Sequence, residues 1–317
     1  MKKIALFICI VIAGAYSCSD DKGWMRPDQM MPEEKTLEIS TRILTPRQAG
    51  FVQLFDEGTE IGLHICSDEK GEIYEESRRY NNVKAVSFYE NGRLRWRQIP
   101  PVSLHQKVAT VYAYSPYKGD DYLDVTHIPI HICRDAEQTK EYMYGTQAIG
   151  QKTVSCLSPM VMLHMHHALS LLSFEVRLAH NTKGLYDLQA IEVRNKKGGN
   201  RLALEGEMNI TTGEIIGKAT TPSLSTQLIL PESLPLSSRF TAPQKIKVIP
   251  THQPVGNGDI EIAFTINNGT YIYKIPANTQ WKKGYVYNYQ LCFNGQKMGL
   301  CSIMDESWKP EKRHGRH

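Results

Sequence analysis

The chain has 317 residues, 41% of them hydrophobic, and a formal net charge of +4. This length suits one large domain or two ordinary ones, and the hydrophobic fraction suffices for a buried core. Lys2 and Lys3 supply two of the four net charges and lie in a segment that we expect to be removed. The remaining chain is too weakly charged to predict a nucleic-acid partner.

The first 17 residues have the pattern of a secretory signal peptide. The positive start is followed by an uncharged, apolar or small run from Ile4 to Ala15. This run has 12 residues, whereas a helix needs about 20 residues to cross a bilayer. We therefore predict that residues 1–17 are cleaved off and do not remain as a membrane anchor.

Two cleavage positions compete in this segment. Ala13-Gly14-Ala15 fits an ordinary signal peptidase, whereas Ala15-Tyr16-Ser17-Cys18 resembles a bacterial lipobox with Ala15 in the place of the usual leucine. The lipobox interpretation predicts a cut between Ser17 and Cys18 and acylation of Cys18, with palmitate among the acyl chains. Several chains, at about 0.8 kcal/mol per buried methylene, would anchor the protein to a membrane.

The next segment predicts a flexible tether over residues 18–35, because it carries Pro27, Pro32 and several acids without an apolar period. From Thr36 onward apolar and polar residues alternate, as they do in half-buried strands. The alternating segments of the first half are 36–43, 60–66, 83–96, 108–114 and 126–133.

Local signals refine this pattern. Asn91-Gly92 favours a tight hairpin turn, and Pro129 favours an edge strand over a central one. Asp135 to Tyr144 predicts a single short helix, capped by Asp135 and ended by Gly145.

The second half alternates more regularly, at residues 172–178, 191–194, 260–266, 271–275 and 285–293. Many short alternating strands separated by turns indicate β-sandwiches. We place the boundary between two such domains in the segment Gly145 to Pro159, where glycine and polar residues interrupt the strand rhythm.

Chemistry-bearing motifs are scarce in the sequence. It has no GxSxG, HExxH or P-loop motif. His164 and His166 alternate on one strand, with His127, His131 and Cys133 as possible companions, but a third ligand of known position is lacking. We therefore predict no metal site and no cofactor. The five cysteines after Cys18 show no regular spacing and predict no disulfide framework.

Aromatic residues allow two interpretations. Tyr285, Tyr287 and Tyr289 form either an exposed stripe that grips carbohydrate or the core face of a strand. Leu291 and Phe293 continue the alternation and favour the core face. Trp96 is a further candidate for carbohydrate binding.

Four motifs give the sequence a resemblance to a known family. They are the lipobox at Cys18 and the segments 111–117 (VYAYSPY), 167–176 (HALSLLSFEV) and 281–289 (WKKGYVYNY). In order and spacing they resemble the fimbrillin family of Bacteroidetes, the lipoprotein-derived subunits of type V pili, including its minor-fimbrillin-like branch. The acidic start Ser19-Asp20-Asp21-Lys22 resembles the signal that sends Bacteroidetes lipoproteins to the cell surface, or is simply a polar tether.

The resemblance implies an all-β chain with two tandem transthyretin-like β-sandwich domains after the signal peptide and tether. We predict the limits 36–152 and 153–308, followed by a basic tail at 309–317. The resemblance also implies that a protease cuts the surface precursor after an arginine near the first strand, Thr36 to Ile43. Arg42 and Arg47 are the candidate sites, and each has the alternative of being an ordinary surface arginine.

Such a cut would remove the anchor and the first strand together. The exposed groove would then accept a strand from the next subunit, whose backbone satisfies the unpaired groups. The expected donor is a C-terminal segment, Gly299 to Met304.

The predicted function is therefore that of a non-catalytic lipoprotein of the outer membrane surface, a fimbrial (pilus) subunit or fimbrillin-like adhesin. Its predicted partners are other fimbrial subunits, through donor-strand exchange, and the outer membrane, through the lipid anchor. A surface lipoprotein that binds a glycan or host protein without polymerising is the alternative. A metal-dependent hydrolase rests on the histidines alone.

The lipobox interpretation predicts that labelled palmitate attaches to the wild-type chain in cells and not to Cys18→Ala, because only the thiol of the new N-terminus is acylated. Equal labelling of both chains, or labelling of neither, would contradict the lipoprotein interpretation. Ser19→Ala is the matched control and retains the label.

Overall fold

The computed structural model describes residues 34–45, 48–52, 55–67, 72–74, 80–119, 124–218 and 225–308. These residues form 21 β-strands and a short 3-10 helix, Ala136–Gln138. The prediction of an all-β chain built from β-sandwich domains is confirmed. The predicted signal peptide, the predicted tether up to residue 33 and the predicted basic tail lie outside the described residues, whereas Lys35 at the end of the predicted tether lies in β1. Within the described ranges, helices with the length and apolarity of a membrane span are absent.

Eleven strands precede residue 168: β1 (Lys35–Thr36), β2 (Glu38–Thr45), β3 (Gln48–Val52), β4 (Glu60–Cys66), β5 (Val83–Glu90), β6 (Arg93–Ile99), β7 (Ser103–Leu104), β8 (Thr110–Ser115), β9 (Ile128–His131), β10 (Met143–Gln147) and β11 (Met160–His167). Eight of them form one sheet in the order β3-β2-β11-β10-β8-β4-β5-β6. The β2–β11 pair is parallel, and the remaining neighbours are antiparallel.

The alternation of apolar residues builds the first hydrophobic core. On β11 every second side chain is buried, and Val161, Leu163 and Met165 are at most 1% exposed. On β4 the side chains of Ile61 and Leu63 are fully buried in the same core. Burial of one strand face in this way is what the period of two in the sequence requires.

Ten strands follow: β12 (Ser170–Leu178), β13 (Asp187–Asn195), β14 (Glu205–Asn209), β15 (Glu214–Lys218), β16 (Ser225–Pro235), β17 (Gln244–Val248), β18 (Ile260–Ile266), β19 (Gly269–Lys274), β20 (Tyr285–Phe293) and β21 (Met298–Ser307). They form the sheets β17-β12-β20-β21 and β16-β13-β18-β19, and β14 and β15 form a three-stranded sheet with β9. The ring of Phe174 on β12 lies 5.9 Å from that of Phe264 on β18, so the two four-stranded sheets share one core.

The compact unit Glu33–His317 thus contains two hydrophobic cores. β11 belongs to the first core, whereas the residues from Ala168 onward pack in the second. β9 lies early in the chain but pairs with β14 of the second half. The predicted limit between residues 152 and 153 stays a prediction, and we propose that the chain passes from one sandwich to the other between His167 and Ala168.

The predicted helix at 135–144 is largely wrong. Only Ala136–Gln138 is helical, capped by Asp135, whose carboxylate accepts the backbone N–H of Glu137 at 3.1 Å. Residues 139–142 form neither helix nor strand, and β10 takes the last two positions, because it gains backbone pairing from β8 on one side and from β11 on the other. The Asn91-Gly92 hairpin is confirmed, with positive φ at both residues. Pro129 lies on β9, an edge strand, as predicted.

Candidate assembly site

The predicted first strand occupies a seat, the N-terminal strand seat, formed by β11, β6 and β7. The structure divides this strand into β1 and β2. β2 runs parallel to β11 in a ladder of seven residue pairs that extends from Glu38 to Leu44. β1 pairs with β7. On its other side β2 pairs with β3 only at Ile43 and Thr45, so the sheet holds the first half of β2 through β11.

Polar contacts from β6 close the open side of the seat. The side-chain amide of Gln98 donates to the carbonyl of Leu37 and accepts the backbone N–H of Val102 at 3.0 Å. The N–H of Leu37 donates to the carbonyl of Val102 at 2.9 Å. The indole N–H of Trp96 donates to the hydroxyl of Thr41 at 3.3 Å. Side chains of β6 and the backbone of Val102 therefore supply hydrogen bonds that a neighbouring strand supplies elsewhere in the sheet.

Apolar side chains fill the inside of the seat. Leu37, Ile39 and Ile43 are 1%, 7% and 4% exposed and belong to the first core. Val161 and Leu163 of β11 belong to the same core. Without β1 and β2 the backbone edge of β11 and this part of the core would face solvent. The seat is thus a groove that needs a strand with apolar residues at alternate positions.

The two candidate cleavage arginines differ in position. Arg42 lies within β2, opposite His164 in the parallel ladder, with an exposed side chain. Arg47 lies outside the described residues, as do Ser17 and Cys18. In the sequence Arg47 stands between Thr45, where β2 ends, and Gln48, where β3 begins.

The expected donor segment, Gly299 to Met304, lies in β21, which pairs with β20 at the edge of its sheet. Ile303 and Met304 are 45% and 55% exposed. A disulfide joins Cys292 on β20 to Cys301 on β21, with the two Cα atoms 6.0 Å apart. The prediction of no disulfide framework is wrong at this pair, because strand pairing and not sequence spacing brings the cysteines together.

Trp308, directly after β21, makes a second contact that the sequence did not predict, in addition to the disulfide. Its ring is 5% exposed and stacks on the imidazole of His167, with centroids 4.4 Å apart and planes inclined by 5°. The carboxylate of Glu141 lies against Nδ1 of His167. The backbone N–H of Trp308 donates to the carbonyl of Gly284 at 2.9 Å. The end of β21 is therefore attached to the end of β11.

A cavity of about 680 Å³ opens beside this contact. Its lining includes Leu44 at the end of β2, Tyr144, His166 and Lys283. The ring of His166 stacks on Tyr144 at 5.5 Å, and the ammonium of Lys283 lies 4.9 Å from the centroid of the Tyr144 ring. Burial lowers the pKa of Lys283, and burial together with the neighbouring cationic groups lowers the pKa of His166. The ends of β2 and β11 therefore meet in a partly dehydrated junction.

The structure divides the candidate histidines between two places. His164 and His166 lie on β11, where burial lowers the pKa of His164 and Arg42 lowers it further. His127 instead contacts the carboxylate of Asp124 at 2.8 Å, in a turn of the other core. His131 and Cys133 also lie on that side of the molecule. Among the described residues no group of three histidine, cysteine or acidic side chains is placed to hold a metal ion.

The tyrosines belong to the core face, as favoured. Tyr287 is 8% exposed and Tyr289 is fully buried, where its hydroxyl accepts the indole N–H of Trp281 at 2.8 Å. Trp96 is 7% exposed. Only Tyr285 remains half-buried, at the rim of the junction cavity. The interpretation of these tyrosines as an exposed stripe that grips carbohydrate is therefore wrong.

Comparison with known proteins agrees with this architecture. The model of the fimbrillin-like family matches residues 41–308. A candidate cell-adhesion protein of Bacteroides ovatus ATCC 8483 has a TM-score of 0.63 at 19% identity, over 88% of this chain and 99% of its own. A candidate cell-adhesion protein of Bacteroides uniformis ATCC 8492 has a TM-score of 0.60 at 13% identity, over 87% of this chain and 98% of its own. A fimbrial protein of Bacteroides vulgatus ATCC 8482 has a TM-score of 0.55 at 14% identity, over 86% of this chain and 99% of its own.

These structures are similar in fold, at identities too low to transfer more than the fold. No curated protein matches the chain.

The geometry of the seat predicts that Gln98→Ala loosens β2. The substitution leaves a buried carbonyl and a buried N–H without partners, which costs about 1–3 kcal/mol. We expect faster amide hydrogen exchange over Glu38–Leu44, whereas exchange in β18 of the second core should not change. Arg95→Ala, which removes an exposed ion pair with Glu90 on the same strand pair, is the control. Equal exchange in both variants would contradict the assigned role of Gln98.

The match of the family model over residues 41–308, together with two β-sandwich cores, shows that the chain belongs to the fimbrillin-like family.

Proposed function

We propose that this chain is a fimbrial subunit that is delivered to the outer membrane surface as a lipoprotein and assembles by strand exchange at the N-terminal strand seat. The observation that carries the proposal is the parallel ladder of β2 with β11. β2 is far from β11 in sequence, precedes every other strand of the sheet and can leave without unthreading another element. Its departure would turn β11 into an unpaired edge.

The energy of the exchange comes mainly from apolar side chains. Leu37, Ile39 and Ile43 are each almost fully buried. Burial of such a side chain contributes about 1.5–3 kcal/mol, so a vacated seat would favour an incoming strand by several kcal/mol. A donor strand with apolar residues at the same alternate positions restores both this burial and the backbone pairing. Another fimbrial subunit is the partner that supplies it.

Arg47 is the better of the two processing sites. A protease binds its substrate in an extended, accessible form, and Arg42 is engaged in the ladder with β11. A cut after Arg42 would also leave Ile43, a buried residue, in the seat. A cut after Arg47 would free the whole of β1 and β2.

Delivery would depend on the segment before the described residues. Cleavage between Ser17 and Cys18 and acylation of Cys18 would hold the precursor in the outer membrane, and the later cut would separate the body from this anchor. The lipobox and the family membership support this order of events.

The alternative is a surface lipoprotein that binds a glycan or a host protein and does not polymerise. The burial of Trp96, Tyr287 and Tyr289 removes most of its basis. Tyr285 at the junction cavity is the aromatic residue that still supports it.

Limited trypsin treatment of the purified mature chain tests the proposal. We expect release of the segment that ends at Arg47, after which a labelled synthetic peptide of residues 34–45 binds to the vacated seat. Arg47→Gln should block both, whereas Arg42→Gln, the matched control, should leave both intact. A treated chain that loses β1 and β2 and does not bind the peptide would contradict the proposal.

A further inference from the structure

We propose that two clamps hold β21 on its own sandwich, so that the oxidised protein accepts a donor strand but does not donate β21. The chain would then occupy one end of an assembly, and its partner would be a subunit with a free donor strand. This inference rests on the proposed function and replaces the expectation that Gly299 to Met304 is donated.

The sequence of β21 is itself suitable for donation. Met298, Leu300, Ser302 and Met304 stand at alternate positions. In type they match Leu37, between β1 and β2, and Ile39, Thr41 and Ile43 of β2, which occupy the seat. The composition of β21 therefore does not prevent its donation. What retains the strand is its attachment to its own sandwich.

The first clamp is the disulfide between Cys292 and Cys301. The register of β20 and β21 slips between Gln290 and Leu291, and Cys301 is the extra residue of the resulting bulge. The bulge lets Cys301 approach Cys292, with a Cα separation of 6.0 Å that is ordinary for a disulfide. Because Met298 and Leu300 lie within the loop that the disulfide closes, neither can leave β20 as part of a donated strand while the bond is intact.

The second clamp is Trp308. The ring is buried against His167, and the backbone N–H is bonded to Gly284. These partners lie at the end of β11 and immediately before β20. Release of β21 from this end would expose a large aromatic ring and leave the stacked face of His167 uncovered.

Backbone pairing also holds β21 along its length, with one interruption at the bulge of Cys301. β20 and β21 share nine residue pairs, from Tyr285 with Ser307 to Phe293 with Met298. Side chains add to it, since the amide of Asn288 donates to Glu306 at 3.0 Å and the hydroxyl of Ser302 donates to Gln290 at 2.6 Å. β2 forms a similar number of backbone pairs, seven with β11 and two with β3, but it has no cysteine and therefore no disulfide to hold it. The N-terminal strand is thus built to leave and the C-terminal strand to stay.

A mixing experiment tests the clamps. The acceptor is the mature chain after trypsin release of β1 and β2, carrying Cys292→Ser, Cys301→Ser and a C-terminal tag. The donors are uncut mature chains: oxidised wild type, the double variant Cys292→Ser with Cys301→Ser, Trp308→Ala, and all three changes combined. We expect about tenfold more mixed dimer from the combined variant than from oxidised wild type, equivalent to about 1.4 kcal/mol of lost retention.

Reduced wild type provides a measurement without substitution, and it should donate more than oxidised wild type. Hydrogen exchange over Gly299–Ser307 should rise in the same order as donation, while exchange in β13 shows that each donor is folded. Oxidised wild type that donates as well as the combined variant overturns the inference, and so does a folded combined variant that donates no more than wild type.

A peptide of residues 34–45 separates this failure from a failure of the proposed function. An acceptor that binds the peptide has a working seat, and the mixing results then report on the clamps alone. An acceptor that does not rebind the peptide contradicts strand exchange itself.

Discussion

The parallel pairing of β2 with β11 is the interaction on which the first sandwich depends. β11 lies between β2 and β10, so it is an internal strand only while β2 is present. Parallel pairs are slightly less stable per residue than antiparallel ones, and this pair joins segments more than a hundred residues apart. What makes it hold is the apolar face of β2 in the core, supported by the amide of Gln98. The same features allow another strand of similar pattern to take its place.

The end of β2 and the C-terminal end of the described chain meet at the junction between the sandwiches. Leu44 at the end of β2 lines the junction cavity, and it pairs with His166, whose neighbour His167 holds Trp308. Adjacent residues of one strand therefore contact the N-terminal strand and the C-terminal strand. In the proposed assembly, His166 would lose its partner residue when β2 leaves, whereas His167 keeps β21 attached. This arrangement separates the acceptor role from the donor role within one subunit.

Much of the fold was predictable because apolar and polar residues alternate along the strands. The strands around Leu63, Phe174 and Ile262 follow the period of two, and Asn91-Gly92 and Pro129 mark a hairpin and an edge strand through their backbone restrictions. The helix after Asp135 was wrong, because pairing partners on both sides of β10 outweigh local helical signals. Alternation also cannot tell a core face from an exposed aromatic stripe with certainty, and burial decided that question for Tyr289.

The candidate site was predictable only in part. The first strand and Arg42 were found from the resemblance, but not the parallel register that makes the strand replaceable. Cys301 gave no signal because a bulge brings it to Cys292, and Trp308 gave none because its partner, His167, is remote in sequence.

The most direct test of replaceable pairing is amide hydrogen exchange over Val161–His166 of β11 after β1 and β2 have been released. We expect these amides to lose protection on release and to regain it when a donor strand binds, with exchange in β18 unchanged throughout. Protection of β11 that is unaffected by removal of β2 would contradict replaceable pairing, because the seat would then not be an open groove.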